Sequence, residues 1–223
     1  MDTKNIILIC IAILNFIIAI ILIFRNLHSP VNTIFATTLF GASLWALGIA
    51  MFRNTLNMET AVAWARIYYF APTVIVLAFL AFANYYIYKL YDPDINKIIY
   101  FLLPFLFVTF IAFHPTFFIE KAYHYEWGND AQEKLGGHLI FAIYFFSYLI
   151  LAYRILFKKL KSSDGINRKN LLLVIIFTLI AYIIGITFDL ILPILGNYKL
   201  IWIGPNFTIL ASLMLIYLIF IRK

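Results

Sequence analysis

The sequence predicts an all-α polytopic membrane protein, built as a single bundle of seven transmembrane helices over residues 1–223. The chain is 65% apolar and only 12% charged, with a mean hydropathy of +0.96. Soluble domains are about 45–50% apolar and about 25% charged. The chain also contains seven apolar runs, and a helix needs roughly 20 apolar residues to cross the hydrocarbon layer. The composition therefore argues against a soluble enzyme, and against a nucleic-acid-binding protein despite an isoelectric point near 9.4.

The seven predicted spans follow the uncharged runs, which are apolar on all sides rather than along one stripe. We interpret the first run as a retained helix and not a signal peptide, because Arg25 follows it without a small-residue cleavage site. The fourth and fifth runs are short, but the polar flanks Asn96 and His138 extend them. The approximate spans are 5–25, 33–53, 61–88, 96–113, 138–157, 170–190 and 200–221.

The charged residues divide unequally between the two sides of this bundle. The loops 25–32, 89–97 and 154–170 and the C-terminus hold eleven basic and three acidic residues, a net charge of +8. The other side holds six basic and seven acidic residues, a net charge of −1. Cytoplasmic loops carry an excess of Lys and Arg. The sequence therefore predicts a multi-pass protein of the cell membrane with its N-terminus outside and its C-terminus in the cytoplasm.

The longest connection, His114–Gly137, lies on the predicted outer side and is acidic and rich in aromatic residues. Connections this long in compact proteins are often functional. We expect it to lie over the outer mouth of the bundle. Its aromatic residues could equally form a belt at the membrane interface.

No motif for catalysis, metal binding or a cofactor is present in the sequence. It lacks a phosphate-binding loop, a zinc-protease motif and a hydrolase nucleophile motif. Cys10 is the single cysteine, so no intramolecular disulfide can form. The outer histidines His114, His124 and His138 are irregularly spaced, which argues against a metal site. We therefore expect no enzymatic activity, no metal and no cofactor.

Polar side chains that enter the membrane gather at one predicted depth. Arg66 lies one or two turns below the outer surface, and Asp189, about 19 residues after Asn170, reaches the same layer at 1.5 Å per residue. One hypothesis is an outward-facing pocket in which Arg66 and Asp189 bind the polar groups of a small ligand and aromatic residues hold its body. The alternative is that the two pair with each other or reach the interface, while the tryptophans anchor the bilayer. The candidate ligand-binding residues are Trp45, Arg53, Trp64, Arg66, Tyr69, Asp189, Trp202 and Asn206.

Small residues recur along the second helix. Ala42, Ala46 and Ala50 are spaced by four residues, and Gly41 and Gly48 lie on an adjoining stripe. Small residues at this spacing allow helices to approach closely. The pattern indicates close packing within the bundle, with dimerisation as the alternative.

Three segments carry a resemblance to a known family: Pro30–Ala36, Ser43–Gly48 and Ala63–Tyr69. With them, the chain resembles the seven-helix N-terminal sensor region of bacterial and archaeal histidine kinases. Later segments agree, and the resemblance covers nearly the whole chain. These later segments are Asn167–Lys169, Leu192–Gly196, Gly204-Pro205 and Ile216-Tyr217.

The resemblance implies a signal that is read by seven helices, with the seventh leading into a cytoplasmic effector. It also makes a homodimer plausible. The chain stops at Arg222-Lys223 without kinase motifs. We therefore expect either a sensor module separated from its effector or a free-standing relative that acts through a partner.

The predicted function is a non-enzymatic membrane sensor that detects an extracellular or membrane-borne small ligand and signals to a cytoplasmic partner. The alternative is a small transporter or a structural subunit of a membrane complex. The basic loop after the fifth span and the C-terminal end are the predicted output surface, although their charge could serve topology alone. The predicted output residues are Arg154, Lys158, Lys159, Lys161, Arg168 and Lys169.

Overall fold

A computed structural model describes residues 2–26, 28–89 and 95–220 of the chain. Within these ranges the chain forms seven main helices and one antiparallel β-hairpin. The hairpin consists of β1 (Ile119–Tyr125) and β2 (Gly128–Glu133). The helices are α1 (Thr3–Arg25), α2 (Pro30–Asn54), α3 (Met58–Tyr85), α4 (Ile95–Phe113), α5 (Leu135–Lys161), α6 (Gly165–Ile194) and α7 (Thr208–Phe220, after a 3-10 turn at Gly204–Phe207).

The predicted helical membrane fold is confirmed in its main features. Five helices, α1, α2, α3, α5 and α6, are long and apolar enough to cross a membrane. Two shorter apolar helices, Ile99–Phe113 and Gly204–Leu218, accompany them. Their outward faces carry large apolar side chains, among them Phe16 on α1 and Leu103 and Phe107 on α4. Such surfaces are suited to contact with lipid acyl chains rather than water.

Local capping explains where α2 and α3 begin. The Ser29 hydroxyl accepts a hydrogen bond from the Asn32 backbone N–H at 3.4 Å, and Pro30 occupies the first turn of α2. The Asn57 side chain accepts from the Thr60 N–H at 3.0 Å at the start of α3. Both residue types satisfy orphan amides at helix N-termini, and proline is tolerated there because its missing N–H would be unpaired anyway.

The last predicted span differs most from the structure. The span over 200–221 begins in turns, and the helix starts only with the 3-10 turn at Gly204–Phe207. Gly196 has a φ of +76°, so the chain reverses there after α6. The predicted C-terminal residues Arg222 and Lys223 lie outside the described residues, as does the segment 90–94 before α4.

The small residues of α2 face α3 of the same chain. Ala42, Ala46 and Ala50 are buried. A Cβ placed on Gly48 would lie 2.9 Å from the Tyr68 Cβ, and one placed on Gly41 would lie 2.7 Å from an Ile75 side-chain carbon. Close packing within the bundle therefore accounts for these glycines.

The β-hairpin is an element that the sequence did not predict. It lies at the end of the bundle that also carries Asp2, the α2–α3 connection and the α6–α7 connection; we call this the hairpin end. The buried Asn129 side chain donates to the carbonyls of Phe52 and Thr55, at 2.6 and 2.7 Å. At the hairpin tip, Trp127 stacks on Tyr125, with ring centroids 5.6 Å apart. The long connection is thus an ordered structure docked on the helices.

Candidate functional site

A cavity of about 100 Å³ lies inside the bundle, bordered by α2, α3, α5, α6 and the start of α7. This volume is several times the space that one water molecule needs. Its wall is mainly aromatic and aliphatic. Three of the predicted ligand-binding residues, Trp45, Tyr69 and Asp189, line it together with Tyr68 and Tyr182.

Asp189 is the charged residue in the wall of this cavity. It is only 7% exposed and lies on a π-helical turn of α6, Thr187–Ile191. Neither of its carboxylate oxygens has a hydrogen-bond partner among the described residues. The carboxylate packs against Gly204, because a Cβ placed there would lie 2.7 Å from the Asp189 Cγ and closer still to Oδ2. π-Helical turns inside α-helices are frequent at functional sites.

Two aromatic side chains in the wall also carry unpartnered polar atoms. The indole Nε1 of Trp45 and the hydroxyl of Tyr68 are buried and have no hydrogen-bond partner among the described residues. Gly185 of α6 lets Trp45 approach closely, since a Cβ there would lie 3.1 Å from the Trp45 ring. The cavity therefore combines an apolar body with a carboxylate, an N–H donor and a hydroxyl group.

A second polar cluster joins the hairpin to the cavity wall. The Glu133 carboxylate of β2 accepts hydrogen bonds from the hydroxyls of Tyr69 and Tyr198 and contacts His138 Nδ1. The side chains of Glu133 and His138 are only 7% and 1% exposed. Burial raises the pKa of the Tyr198 hydroxyl well above its ordinary value, so this hydroxyl stays protonated and donates. Tyr69 belongs to both the cluster and the cavity wall, so it connects the hairpin to the cavity by direct contact.

Sequence reasoning did not identify Glu133 or Tyr198 as functional candidates. The two residues are 65 positions apart in separate connections between helices. They have no shared periodicity or motif that would place them together. Only the docking of the hairpin brings them into contact.

Arg66 and Asp189 do not form the predicted pair. Arg66 donates through Nη2 to the Ile119 carbonyl of β1 at 3.0 Å, and it does not line the cavity. The hairpin supplies the acceptor, so the arginine turns toward it. The joint action of Arg66 and Asp189 on one ligand stays a prediction, and in this structure only Asp189 lines the cavity.

Arg53 likewise lies outside the cavity wall. Its guanidinium donates to Asn5 Oδ1 at 3.2 Å and to the Trp127 carbonyl at 2.9 Å, and it lies 3.5 Å from the Asp2 carboxylate. It joins α1, α2 and the hairpin. Arg53 therefore contacts the hairpin end rather than the cavity wall, and its predicted role in ligand binding stays a prediction.

The remaining predicted residues, Trp64, Trp202 and Asn206, also lie outside the cavity wall. Trp64 is partly buried against the core of the bundle. The Asn206 side chain donates to the Trp202 carbonyl at 2.6 Å, which caps the turns before α7. Their predicted role in ligand binding stays a prediction, and none of the three lines this cavity.

One of the six residues predicted for the output surface, Lys159, does not lie at the surface. Lys159 is 0% exposed, and its ammonium donates to the carbonyls of Asn84, Tyr86 and Tyr88. It therefore points into the protein and does not contribute to a surface for a partner. The other five predicted residues are exposed: Arg154, Lys158, Lys161, Arg168 and Lys169.

Asp130 of β2 is a pH-sensitive group of the hairpin. Partial burial raises the pKa of its carboxyl from 3.8 to about 6, and Lys199 opposes this shift. Between these pH values the folded protein holds a proton that the unfolded chain releases. Stability therefore decreases as the pH rises through this window.

We expect the melting temperature of the wild type to fall relative to that of Asp130→Asn as the pH rises from about 4 to about 6. Differential scanning fluorimetry in detergent across this range measures the difference. Glu126→Gln, which removes an exposed carboxyl from the same hairpin, is the control. A difference between wild type and Asp130→Asn that is constant with pH would contradict the prediction.

Comparison with known proteins gives one family. The model of the family described as the N-terminal 7TM region of histidine kinase matches residues 7–222, nearly the whole chain. A search of curated proteins gave no match.

Proposed function

Because the chain belongs to the family of N-terminal seven-transmembrane regions of histidine kinases, we propose that it is a membrane sensor whose small ligand binds in the cavity beside Asp189. The family region is a sensor region, which supports a role in signal detection without catalysis of its own. The observation that carries the proposal is the buried, unpartnered Asp189 carboxylate on a π-helical turn in the cavity wall. Pockets with a mainly apolar wall and a few convergent polar groups are typical of small-molecule sites.

The hairpin end is proposed to face the outside of the cell. The charge distribution supports this orientation, since the opposite side carries a net charge of +8 and the hairpin side −1. In this orientation the ligand reaches the cavity from the outer half of the membrane or from the extracellular side. The cell membrane is then the proposed location.

The signal is proposed to travel through α6 and α7. Asp189, on the π-helical turn of α6, lines the cavity and also packs against Gly204 in the turn before α7. A ligand changes the helix arrangement only if it binds one of two arrangements better than the other. The end of α7 and the exposed basic residues of the α5–α6 connection then contact a cytoplasmic signalling partner, and a homodimer is the proposed assembly.

Filling the cavity tests this function. In Ala181→Phe, a phenyl ring replaces a methyl group in the cavity wall. We expect this variant to lose at least nine-tenths of the small molecules that wild type retains, because the added ring takes their space. The measurement is native mass spectrometry of protein in nanodiscs after incubation with a small-molecule extract of the growth medium and with a lipid extract.

Ile183→Phe is the matched control, since Ile183 lies on the same helix and its side chain is 55% exposed. It should retain the same small molecules as wild type. Equal retention by Ala181→Phe and wild type would contradict a ligand site in this cavity. Retention of nothing by wild type would contradict it as well.

A further inference from the structure

We infer that the ligand of this cavity carries a protonated amine, which binds the Asp189 carboxylate. This inference rests on the proposed ligand site and specifies its chemistry. The expected class is a small organic ammonium compound with an apolar or aromatic body.

The Asp189 carboxyl group has no basic partner within the described part of the protein. No ion pair or hydrogen bond reaches its two oxygens from these residues. The basic residue expected beside it, Arg66, binds the Ile119 carbonyl instead. Among the residues that line the cavity, Asp189 is the charged one, and no Lys, Arg or His accompanies it. An unpaired carboxylate in an apolar interior is costly, and a cationic ligand group would remove that cost.

The wall around the carboxylate suits an organic cation. Eight aromatic side chains line the cavity, including Trp45, Tyr68 and Tyr182. Aromatic faces attract ammonium groups, most strongly where water is excluded. The same rings provide apolar surface for the body of the ligand. The free Trp45 N–H and Tyr68 hydroxyl can bind a second polar atom of the ligand, such as a hydroxyl or carbonyl oxygen.

Asp189 is the single carboxylate among the residues that line the cavity, which disfavours a bare metal ion, and the serine and threonine hydroxyls nearby donate hydrogen bonds within the protein. Thr178 and Thr208 donate to the carbonyls of Val174 and Pro205, each at 2.7 Å. Ser212 donates to the Thr208 carbonyl at 2.8 Å and lies 3.1 Å from Asn15 Oδ1. Hard cations such as Ca²⁺ require six to eight oxygen ligands. An ammonium group needs far fewer acceptors, and the carboxylate supplies two.

The test compares amines with alcohols of the same skeleton. Tritiated 2-phenylethylamine and 2-phenylethanol, and butylamine and butanol as a smaller pair, are equilibrated at pH 7 with full-length protein in nanodiscs; empty nanodiscs correct for partitioning into lipid. We expect wild type to bind at least one amine 10-fold or more tightly than its alcohol. Asp189→Asn should reduce this ratio to about 1, because it keeps the shape and removes the charge. Asp130→Asn, the same change outside the cavity, should leave the ratio unchanged.

The amine-to-alcohol ratio of wild type decides the inference even if Asp189→Asn does not fold. Equal binding of amine and alcohol, both lost in Ala181→Phe, would overturn the ammonium inference and leave the cavity as the ligand site. Binding of neither pair by wild type would overturn it too. An unchanged ratio in folded Asp189→Asn would also overturn it, as would displacement of the amine by millimolar Na⁺ or Ca²⁺ but not by N-methylglucamine.

Discussion

Replacing Gly204 with alanine is expected to destabilise the protein by roughly 2 kcal/mol, the scale of overpacking in a close-packed interior. The added Cβ would lie 2.7 Å from the Asp189 Cγ, so the carboxylate or the turn before α7 has to move. Asp189 is buried on the π-helical turn of α6, and its carboxyl can move only toward the cavity that it lines. The free energy of unfolding, measured by titration with sodium dodecyl sulfate in mixed micelles, gives the loss.

Gly136→Ala is the matched control for this substitution. Gly136 lies in the first turn of α5, and a Cβ placed there meets no atom within 4 Å. A second check is the double variant with Asp189→Ala. If the carboxylate causes the clash, its removal should recover most of the stability that Gly204→Ala loses, giving a coupling energy between the two sites. Equal unfolding free energies for Gly204→Ala and Gly136→Ala would disprove the close approach.

The same contact matters for the proposed sensing. The Gly204 position joins the start of α7 to the carboxylate that would bind the ligand. A ligand group placed on Asp189 therefore acts within contact distance of the last helix. This proximity gives a direct physical path from the cavity to the helix that leads toward the cytoplasm, with no intermediate chain of residues required.

The substitution Lys159→Met is expected to cost on the order of 3 kcal/mol of stability, because it removes a charged donor from three carbonyls. The ammonium lies 2.7 Å from the Asn84 oxygen, 2.8 Å from that of Tyr86 and 2.6 Å from that of Tyr88. Carbonyls at the C-terminus of a helix have no partners within the helix. Methionine keeps the approximate length of the side chain but removes all three charge-assisted hydrogen bonds.

Lys161→Met provides the comparison, since Lys161 is exposed on the last turn of the same helix. It should change the unfolding free energy by less than about 0.5 kcal/mol, as surface substitutions usually do. Unfolding in sodium dodecyl sulfate measures both variants. Similar values for Lys159→Met and Lys161→Met would show that Lys159 does not stabilise the end of α3.

Lys159 also explains why a basic residue can be misinterpreted from sequence. It lies between the exposed Lys158 and Lys161 in a run that reads as one charged surface. Yet the chain after α3 turns through Ile87, which has a φ of +67°, and presents its carbonyls to this one lysine. The ammonium further lies 5.0 Å from the centroid of the Tyr88 ring. The burial of Lys159 depends on the turn after α3, which lies more than 70 positions earlier in the chain. The local sequence around Lys159 therefore does not predict it.

Three of the eight residues predicted for the ligand pocket border one cavity, and the other five lie outside its wall. Trp45, Tyr69 and Asp189 do border one cavity, since helix length and 1.5 Å per residue suffice to place them near one layer. Arg53 and Arg66 share that half of the bundle but bind backbone carbonyls of the hairpin. A basic side chain turns toward the nearest acceptors, and these acceptors belong to an element that the sequence did not predict.

Composition and hydropathy alone predict the class of this protein, a bundle of long apolar helices that contain few charged residues. These features follow from composition and periodicity, because lipid contact demands apolar residues over the full length of each span. Which side chains border the cavity follows only from the tertiary structure. The hairpin docks on α2 and α3, and its carbonyls accept hydrogen bonds from Arg53 and Arg66. Asp189 packs against Gly204 and has no counterion among the residues that the structure describes. These arrangements depend on contacts between residues that are distant in the chain. Such contacts form only when the helices and the hairpin pack together, so local sequence patterns do not predict them.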